Sequence, residues 1–292
     1  MPNIYSKKRL NINLLKHLSY RLVIPLIELK HIAENVEPLY KFYKEPKKNG
    51  GFRGISNPTP RLKKIQKAIH KLLTEIKISD SAHGGIKGRS NLTNAQCHCN
   101  QRFLLNLDFK NFFPSISHYK VYELFHKTLG CSSEVAKVLT RLTTVRGQVP
   151  QGGSMSTDIA NLVMGEIDKR LEGLSKKYDI NYTRFVDDMS FSGKTIPDKF
   201  ISTAKQIISQ SSFDLNSEKE HLSDGSMPKV ITGLSVNRKK PTVPRHVKRA
   251  IRKEAYLFSK YESNNLSAAD KMSREKQIQG KLSYVNYITE IK

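Results

Sequence analysis

Two adjacent carboxylates, Asp187 and Asp188, are the residues of this sequence with the clearest chemical potential. They separate two apolar runs rich in β-forming residues, 180–186 and 189–191, and this pattern predicts a β-hairpin with the aspartates at its tight turn. Adjacent carboxylates raise one another's pKa unless a cation lies between them, and oxygen ligands on a rigid turn suit Mg²⁺. Because aspartates are also common in ordinary turns, the pair alone does not establish a metal site.

A third carboxylate, Asp108, follows a short apolar run at 103–107 that predicts a buried strand. If this strand lies beside the hairpin in one sheet, its end brings Asp108 to the other two aspartates. Three carboxylates can hold two Mg²⁺ ions about 3.5–4 Å apart, an arrangement that activates an attacking hydroxyl and stabilises a leaving pyrophosphate. The three aspartates therefore predict a two-metal site.

The composition points to a polyanionic partner. The 292 residues carry 50 Lys plus Arg against 26 Asp plus Glu, a formal net charge of +24, and such an excess favours nucleic acid binding. No apolar stretch approaches the roughly 18 residues that a membrane span needs, and no signal sequence follows Met1, so we expect a cytoplasmic protein with no membrane partner. The spacing of Cys97, His98 and Cys99 is too short for a zinc site.

Further elements must surround this site. Apolar spacing predicts a pair of short helices over 14–35 broken at Pro25, helices over 61–78, 121–142 and 199–209, a strand over 230–234, and two helices in the basic C-terminal segment. The basic hairpin at 44–55 could bind phosphate through Arg53, assisted by Lys47 or Lys48, or be a solvated charged loop. The glycine-rich loop at 82–90 offers Lys87 and Arg89 to a charged ligand.

The two aspartate motifs resemble those of a known family. The hydrophobic-Asp-x4-Phe pattern at Asp108 and Phe-Val-Asp-Asp at 185–188 resemble motifs A and C of reverse transcriptases, although the second usually reads Tyr-x-Asp-Asp. The resemblance implies an α+β right-hand polymerase with fingers, an RRM-like antiparallel palm sheet and a small helical thumb. It places the N-terminal helices and fingers in 1–103, the palm in 104–236, with 118–149 returning to the fingers, and the thumb in 237–292.

The same resemblance assigns roles to individual residues. It implies that Asp108, Phe109, Asp187 and Asp188 bind two Mg²⁺ ions. In 215–219, which resembles motif D, Lys219 would protonate the departing pyrophosphate. Nucleotide binding falls to Arg53, Phe113, Gln151 and Gly152. Gln151 and Gly152 lie in a motif B in which Ser154 and Thr157 replace the family's later prolines. Phe113 would clash with a 2′-hydroxyl and so select dNTPs over rNTPs.

Two short elements narrow the resemblance to retron reverse transcriptases. These are Asn-Ala-x-x-His at 94–98 and Ile-Thr-Gly at 231–233, where the family has Val-Thr-Gly. The implied partners are a non-coding RNA template, the branched RNA–DNA product called msDNA, dNTPs, and an effector protein in defence against phage. The predicted RNA-binding residues are Lys87, Arg89, Asn94, His98, Thr232, Gly233, Arg245, Lys248, Arg249 and Arg252. Another bacterial reverse transcriptase of defence or group II intron type, and a non-catalytic RNA-binding scaffold, are the alternatives.

Overall fold

A computed structural model describes residues 9–47, 50–262 and 266–290. Its helices are α1 (Leu15–Leu22), α2 (Leu26–Glu34), α3 (Pro60–Leu73), α4 (Asn91–Gln96), α5 (Phe112–Ser115), α6 (His118–Glu123), α7 (Ser133–Thr143), α8 (Ser156–Val163), α9 (Gly165–Lys177), α10 (Asp198–Gln210), α11 (Arg245–Leu257) and α12 (Ala268–Glu290). Its strands are β1 (Tyr40–Pro46), β2 (Phe52–Pro58), β3 (Phe103–Asp108), β4 (Asn181–Phe185), β5 (Asp188–Gly193), β6 (His221–Ser223), β7 (Val230–Ile231) and β8 (Leu234–Ser235). The predicted α+β class is confirmed.

The central element is a four-stranded antiparallel sheet in the order β4-β5-β3-β6. The hairpin of β4 and β5 forms at the predicted place, and β5 pairs with β3 in a register that sets Asp108 opposite Asp188. Helices α9 and α10 pack against one another beside this sheet, and Phe200 of α10 meets the ring of Phe191 at 5.4 Å between centroids. The strand and the hairpin therefore lie in one sheet, as their sequences predict.

The N-terminal half contains the hairpin of β1 and β2, which the basic, glycine-containing turn predicts correctly. Pro25 separates α1 from α2 as expected, because proline cannot continue the preceding helix. The helix predicted over 61–78 ends at Leu73. The helical run predicted over 121–142 forms with one interruption, because the chain turns at Gly130, whose φ of +70° interrupts helical geometry before α7.

A smaller hydrophobic cluster joins the C-terminal segment to the back of the sheet. Its buried residues come from α4, β3, the β7–β8 region and α12, and include Leu92, Leu104, Leu234 and Ile288. The strand predicted over 230–234 is wrong. Thr232 (φ 45°) and Gly233 (φ 85°) reverse the chain there, and two very short strands pair instead. Within the described ranges, no helix combines the length and apolar character that crossing a membrane requires.

Candidate active site

Asp108, Asp187 and Asp188 come together at one end of the central sheet. Asp108 is the last residue of β3, Asp188 is the first residue of β5, and Asp187 lies in the turn before it. One carboxylate oxygen from each lies within 4.8 Å of the others, with Asp108 buried, Asp187 half-buried and Asp188 exposed. In the described part of the chain this is the one group of three or more His, Cys, Asp or Glu side chains arranged to hold a metal ion.

Burial and mutual repulsion disfavour the charged forms of these carboxylates. Desolvation, followed by repulsion from Asp187 and Asp108, raises the pKa of Asp188 to about 7, and desolvation with repulsion from Asp108 also raises the pKa of Asp187. The Oδ1 atom of Asp108 is buried and has no hydrogen-bond partner among the described residues. Negative charge concentrated around an unpartnered oxygen is the environment that a divalent cation stabilises.

The side chain of Lys219 reaches this group of aspartates from the loop before β6. Its ammonium donates a hydrogen bond to Oδ2 of Asp108, and this bond, with the nearby negative charges, raises the pKa of Lys219. A cavity of about 160 Å³ adjoins the pair, and its lining includes Asp188 and Thr232. The structure therefore brings the predicted proton donor to the three aspartates.

The turn that carries the aspartates is held by a buried arginine that sequence reasoning missed. Arg184 has no exposed side-chain surface and pairs with Asp168 through two hydrogen bonds of 2.9 and 2.7 Å. Its remaining nitrogen donates to Oδ1 of Asn161 at 2.9 Å and to the carbonyl of Val186 at 2.8 Å. The position of this charged residue inside the apolar run 180–186 is the sequence feature that predicts a buried ion pair, since buried charges require partners.

The predicted nucleotide-binding residues divide into two groups. Phe113 is half-buried, whereas Phe112 is 3% exposed and stacks on Phe109 with ring centroids 5.1 Å apart. Phe112 and Phe109 are therefore core residues through their side chains, and Phe109 could bind a metal only through its main-chain carbonyl.

The second group links the β1–β2 hairpin to the loop before α8. The amide of Ser56 donates to the carbonyl of Gln151 at 2.8 Å, and Gly152 lies so close to Ile55 that an added Cβ would be 2.8 Å from it. Arg53, two residues before Ile55 on the same strand, is half-buried, and its Nε has no hydrogen-bond partner among the described residues. Lys47 directly follows β1, the partner strand of β2, and is exposed, whereas Lys48 lies outside the described residues.

The glycine-rich loop at 82–90 packs against other parts of the chain, whereas the sequence predicts that it contacts a charged ligand. A Cβ added to Gly84 would lie 2.7 Å from the amide nitrogen of Val186, so this glycine permits close approach to the aspartate turn. The prediction that Arg89 binds RNA is not supported by its contacts. Its guanidinium donates to the carbonyls of Ser79 and Ala82 and pairs with Asp80 at 3.1 Å. Lys87 is exposed and stays available to a charged partner.

The prediction that Asn94 and His98 contact RNA directly is wrong, because both side chains are buried, with 1% and 0% exposure. His98 bonds to the hydroxyls of Ser192 and Thr183, each at 2.7 Å, and so connects β4 with β5. Burial and the nearby His83 lower the pKa of His98 to about 3. His98 therefore supports the sheet as a neutral imidazole.

Asn94 meets the other retron-like element. Its amide lies 3.5 Å from Oγ1 of Thr232, and that hydroxyl donates to the carbonyl of Asn91 at 3.2 Å. Thr232 is half-buried and Gly233 is exposed. The two elements thus pack against one another, and the exposed part of their junction is the Thr232–Gly233 turn.

The predicted basic surface lies on α11. Arg245, Arg249 and Arg252 are exposed and Lys248 is half-buried. Glu254, the one acidic residue of this helix, pairs with Lys281 at 2.7 Å and Arg274 at 3.2 Å. The α11 cations therefore face solvent with their charge available to a polyanion.

The sequence is similar to proteins that synthesise DNA on RNA. Residues 45–243 match the family model described as reverse transcriptase (RNA-dependent DNA polymerase). The retron Se72 reverse transcriptase of Salmonella heidelberg is 34% identical over 259 residues, which are 84% of this chain and 68% of that protein. The retron Mx65 reverse transcriptase of Myxococcus xanthus is 32% identical over 68% of this chain and 51% of its own length. The retron Ec86 reverse transcriptase of Escherichia coli is 30% identical, with shares of 73% and 68%.

Solved structures show a similarity to telomerase. The apo telomerase of Candida tropicalis, truncated from its C-terminal domain, is 14% identical, with a TM-score of 0.49 over 70% of this chain and 55% of that chain. The telomerase of Candida albicans, in complex with a fragment of telomeric RNA, is 10% identical and covers 85% of this chain and 56% of its own, with a TM-score of 0.48.

Proposed function

Because the chain belongs to the reverse transcriptase family, and within it to the retron reverse transcriptases, we propose that Asp108, Asp187 and Asp188 form the centre at which it copies RNA into DNA. The family's activity is RNA-directed DNA polymerisation, a nucleotidyl transfer. The observation that carries the assignment is the convergence of three carboxylate oxygens within 4.8 Å of one another. The same residues argue against a non-catalytic scaffold, which needs no cluster of mutually repelling acids.

The residues present fit two Mg²⁺ ions. The three carboxylates would hold them, with the main-chain carbonyl of Phe109 as a further oxygen ligand, and the unpartnered Oδ1 of Asp108 is an available donor. When bound, the ions activate the attacking hydroxyl and stabilise the charge of the leaving pyrophosphate. Desolvation and the repulsion between neighbouring carboxylates raise the pKa of Asp187 and Asp188, and a bound cation would compensate that repulsion.

Lys219 is the proposed general acid. Its hydrogen bond with Asp108 keeps the ammonium protonated beside the site, where it can donate a proton to the pyrophosphate. Phe113 is the proposed sugar gate, supported by its half-exposed position next to the core residue Phe112. Arg53 would bind the triphosphate, while Gln151 and Gly152 would lie along the nucleotide.

The lobes and partners follow from family membership. We assign the fingers to 1–103, the palm to 104–236, with 118–149 in the fingers, and the thumb to 237–292. Membership among the retron reverse transcriptases implies a non-coding RNA as template, dNTPs as substrates and msDNA as product. It also implies an effector protein in antiviral defence and a cytoplasmic location. RNA would bind Lys87, the Thr232–Gly233 turn and the α11 cations, supported by their exposure.

The test compares wild type with Asp187→Asn and with Asp224→Asn, a matched change at an exposed aspartate outside the group. Extension of a DNA primer annealed to RNA is measured with Mg²⁺, and RNA affinity by filter binding. Asp187→Asn should reduce extension by at least about 10³-fold and leave RNA affinity within about twofold, whereas Asp224→Asn should change neither. Undiminished extension by Asp187→Asn would place the active site elsewhere.

A second experiment addresses the template. Sequencing of the nucleic acid that co-purifies with the protein should return one structured RNA with DNA covalently attached to it. A heterogeneous mixture of cellular RNAs without attached DNA would contradict the retron assignment and leave polymerase activity intact.

A further inference from the structure

The aspartate turn adopts a conformation that its sequence disfavours. Val186, which precedes Asp187, has φ 62°, in the left-handed region that β-branched residues rarely occupy. Gly84 packs directly against Val186, and an added Cβ would lie 2.5 Å from its side chain. The unfavourable backbone therefore depends on neighbouring groups that hold it.

Arg184 is the polar group that holds this turn. Its Nη1 donates to the carbonyl of Val186 at 2.8 Å, while Nε and Nη2 are fixed by the carboxylate of Asp168. Asn161 accepts a second bond from Nη1 and donates to the carbonyl of Gly84 at 2.9 Å. One buried guanidinium thus connects α8, α9 and the turn. Asn161 extends this network to the glycine-rich loop.

We propose that Arg184 is a positioning residue: by fixing the carbonyl of Val186 it sets the direction in which the turn presents Asp187 and Asp188 to Asp108. The inference rests on the proposed function, because it assumes that these carboxylates hold the metal ions. Two properties of the guanidinium matter here. Its planar fork binds Asp168 through two parallel bonds, and it still has a donor left for the turn, which lysine cannot reproduce.

A purely structural role for the buried ion pair makes a different prediction from a positioning role. Tyr182 donates to Oδ1 of Asp168 at 2.8 Å from within the same buried cluster, and within the described residues its hydroxyl makes no bond to the turn. Tyr182→Phe therefore weakens the cluster and leaves the bond from Arg184 to Val186 in place. It is the matched control for Arg184→Lys, which keeps the charge and removes the fork.

The experiment measures metal binding separately from activity. The full chain is titrated with Mn²⁺, free Mn²⁺ is followed by electron paramagnetic resonance, and Asp187→Asn supplies the background. The Mg²⁺ concentration for half-maximal primer extension, the melting temperature and the RNA affinity are measured in parallel. Arg184→Lys should raise both half-saturating metal concentrations at least about tenfold, equivalent to about 1.4 kcal/mol, with RNA affinity nearly unchanged. Tyr182→Phe should lower the melting temperature and leave both metal concentrations within about twofold.

Two results would overturn the proposal: a change of less than about threefold in Mn²⁺ binding for Arg184→Lys, or an equal loss for Tyr182→Phe. If Arg184→Lys does not fold, Asn161→Ala decides the question, because it keeps the ion pair but removes both the acceptor that orients Nη1 towards Val186 and the bond that holds Gly84 against the turn, neither of which involves Tyr182. It should weaken Mn²⁺ binding at least about threefold, and a smaller change would refute the positioning role. If the wild type binds no more Mn²⁺ than Asp187→Asn does, the proposed metal site itself is refuted, and this inference with it.

Discussion

Replacing His98 by glutamine tests whether the histidine of the Asn-Ala-x-x-His element acts as a neutral support of the sheet. The imidazole is fully buried between the hydroxyls of Ser192 and Thr183. Protonating both ring nitrogens would place a charge in a site with no carboxylate bonded to it, so acid should destabilise the fold. Glutamine can donate and accept as imidazole does, and it does not titrate in this range.

The size of the effect follows from the pKa of His98, which falls from 6.5 to about 3 on burial. Between pH 3 and pH 6.5 the unfolded chain binds a proton at His98 that the folded chain does not bind. The free energy of unfolding is therefore highest above pH 6.5 and decreases as the pH falls. Each pH unit below 6.5 costs about 1.4 kcal/mol until the folded chain also begins to protonate, which gives a loss of about 2 kcal/mol at pH 5 and about 4 kcal/mol at pH 3.

Urea unfolding at several pH values between 7.5 and 5 measures this loss. The free energy of unfolding of wild type should fall by about 2 kcal/mol more than that of His98→Gln over this interval. His83 titrates in the same direction, with its pKa lowered to about 4, but it is present in both proteins, so the difference isolates His98. Parallel pH profiles for the two proteins would show that His98 is not held neutral by burial.

Three further predictions concern sugar selection, proton donation and RNA binding. Phe113→Ala should lower the preference for dNTPs over rNTPs about tenfold in single-nucleotide extension. Phe112→Ala should leave that ratio unchanged and cost roughly 3–5 kcal/mol of stability as a core truncation. Lys219→Ala should slow single-turnover nucleotide addition roughly 10²-fold with little change in dNTP affinity; an unaltered rate would remove the general-acid role. Arg249→Ala with Arg252→Ala should weaken binding of any structured RNA and reduce the slope of log affinity against log salt by about 1–2, and an unchanged slope would mean that α11 does not meet phosphate.

The elements that position the aspartates could be predicted because their signals are local. A turn between two β-rich runs fixes the place of Asp187 and Asp188, and an apolar run ending on Asp108 fixes the third strand. The pairing of β3 with β5 needed one assumption, that the strands share a sheet, and the register supports it. Local patterns failed where single residues redirect the chain, as at Gly130 and Thr232, because apolar residues on both sides of each position predict continuous regular structure.

The side chains that hold the site could not be predicted from local patterns, because their partners are distant in the chain. Arg184 and Asp168 are 16 residues apart and His98 and Ser192 are 94 residues apart. An exposed contact with RNA and a buried bond to protein require the same polar residue types, so composition does not separate the two. Burial separates the two for Asn94 and His98, whose side chains bond to protein and not to RNA.

Burial also changes how the two retron-like elements can influence template choice. Asn94 lies against Thr232, Asn91 donates to the hydroxyl of Tyr284 on α12 at 2.6 Å, and the cluster around Leu92 includes Ile288 of the same helix. These contacts tie α4 to the C-terminal helix α12. On the proposed function, the α11 cations would bind phosphate without regard to sequence, and the placement of α11 and α12 beside α4 would limit which RNA shapes reach the aspartates. We propose that the two elements act on RNA selection by placing these C-terminal helices, and that the exposed surfaces of the helices make the direct contacts.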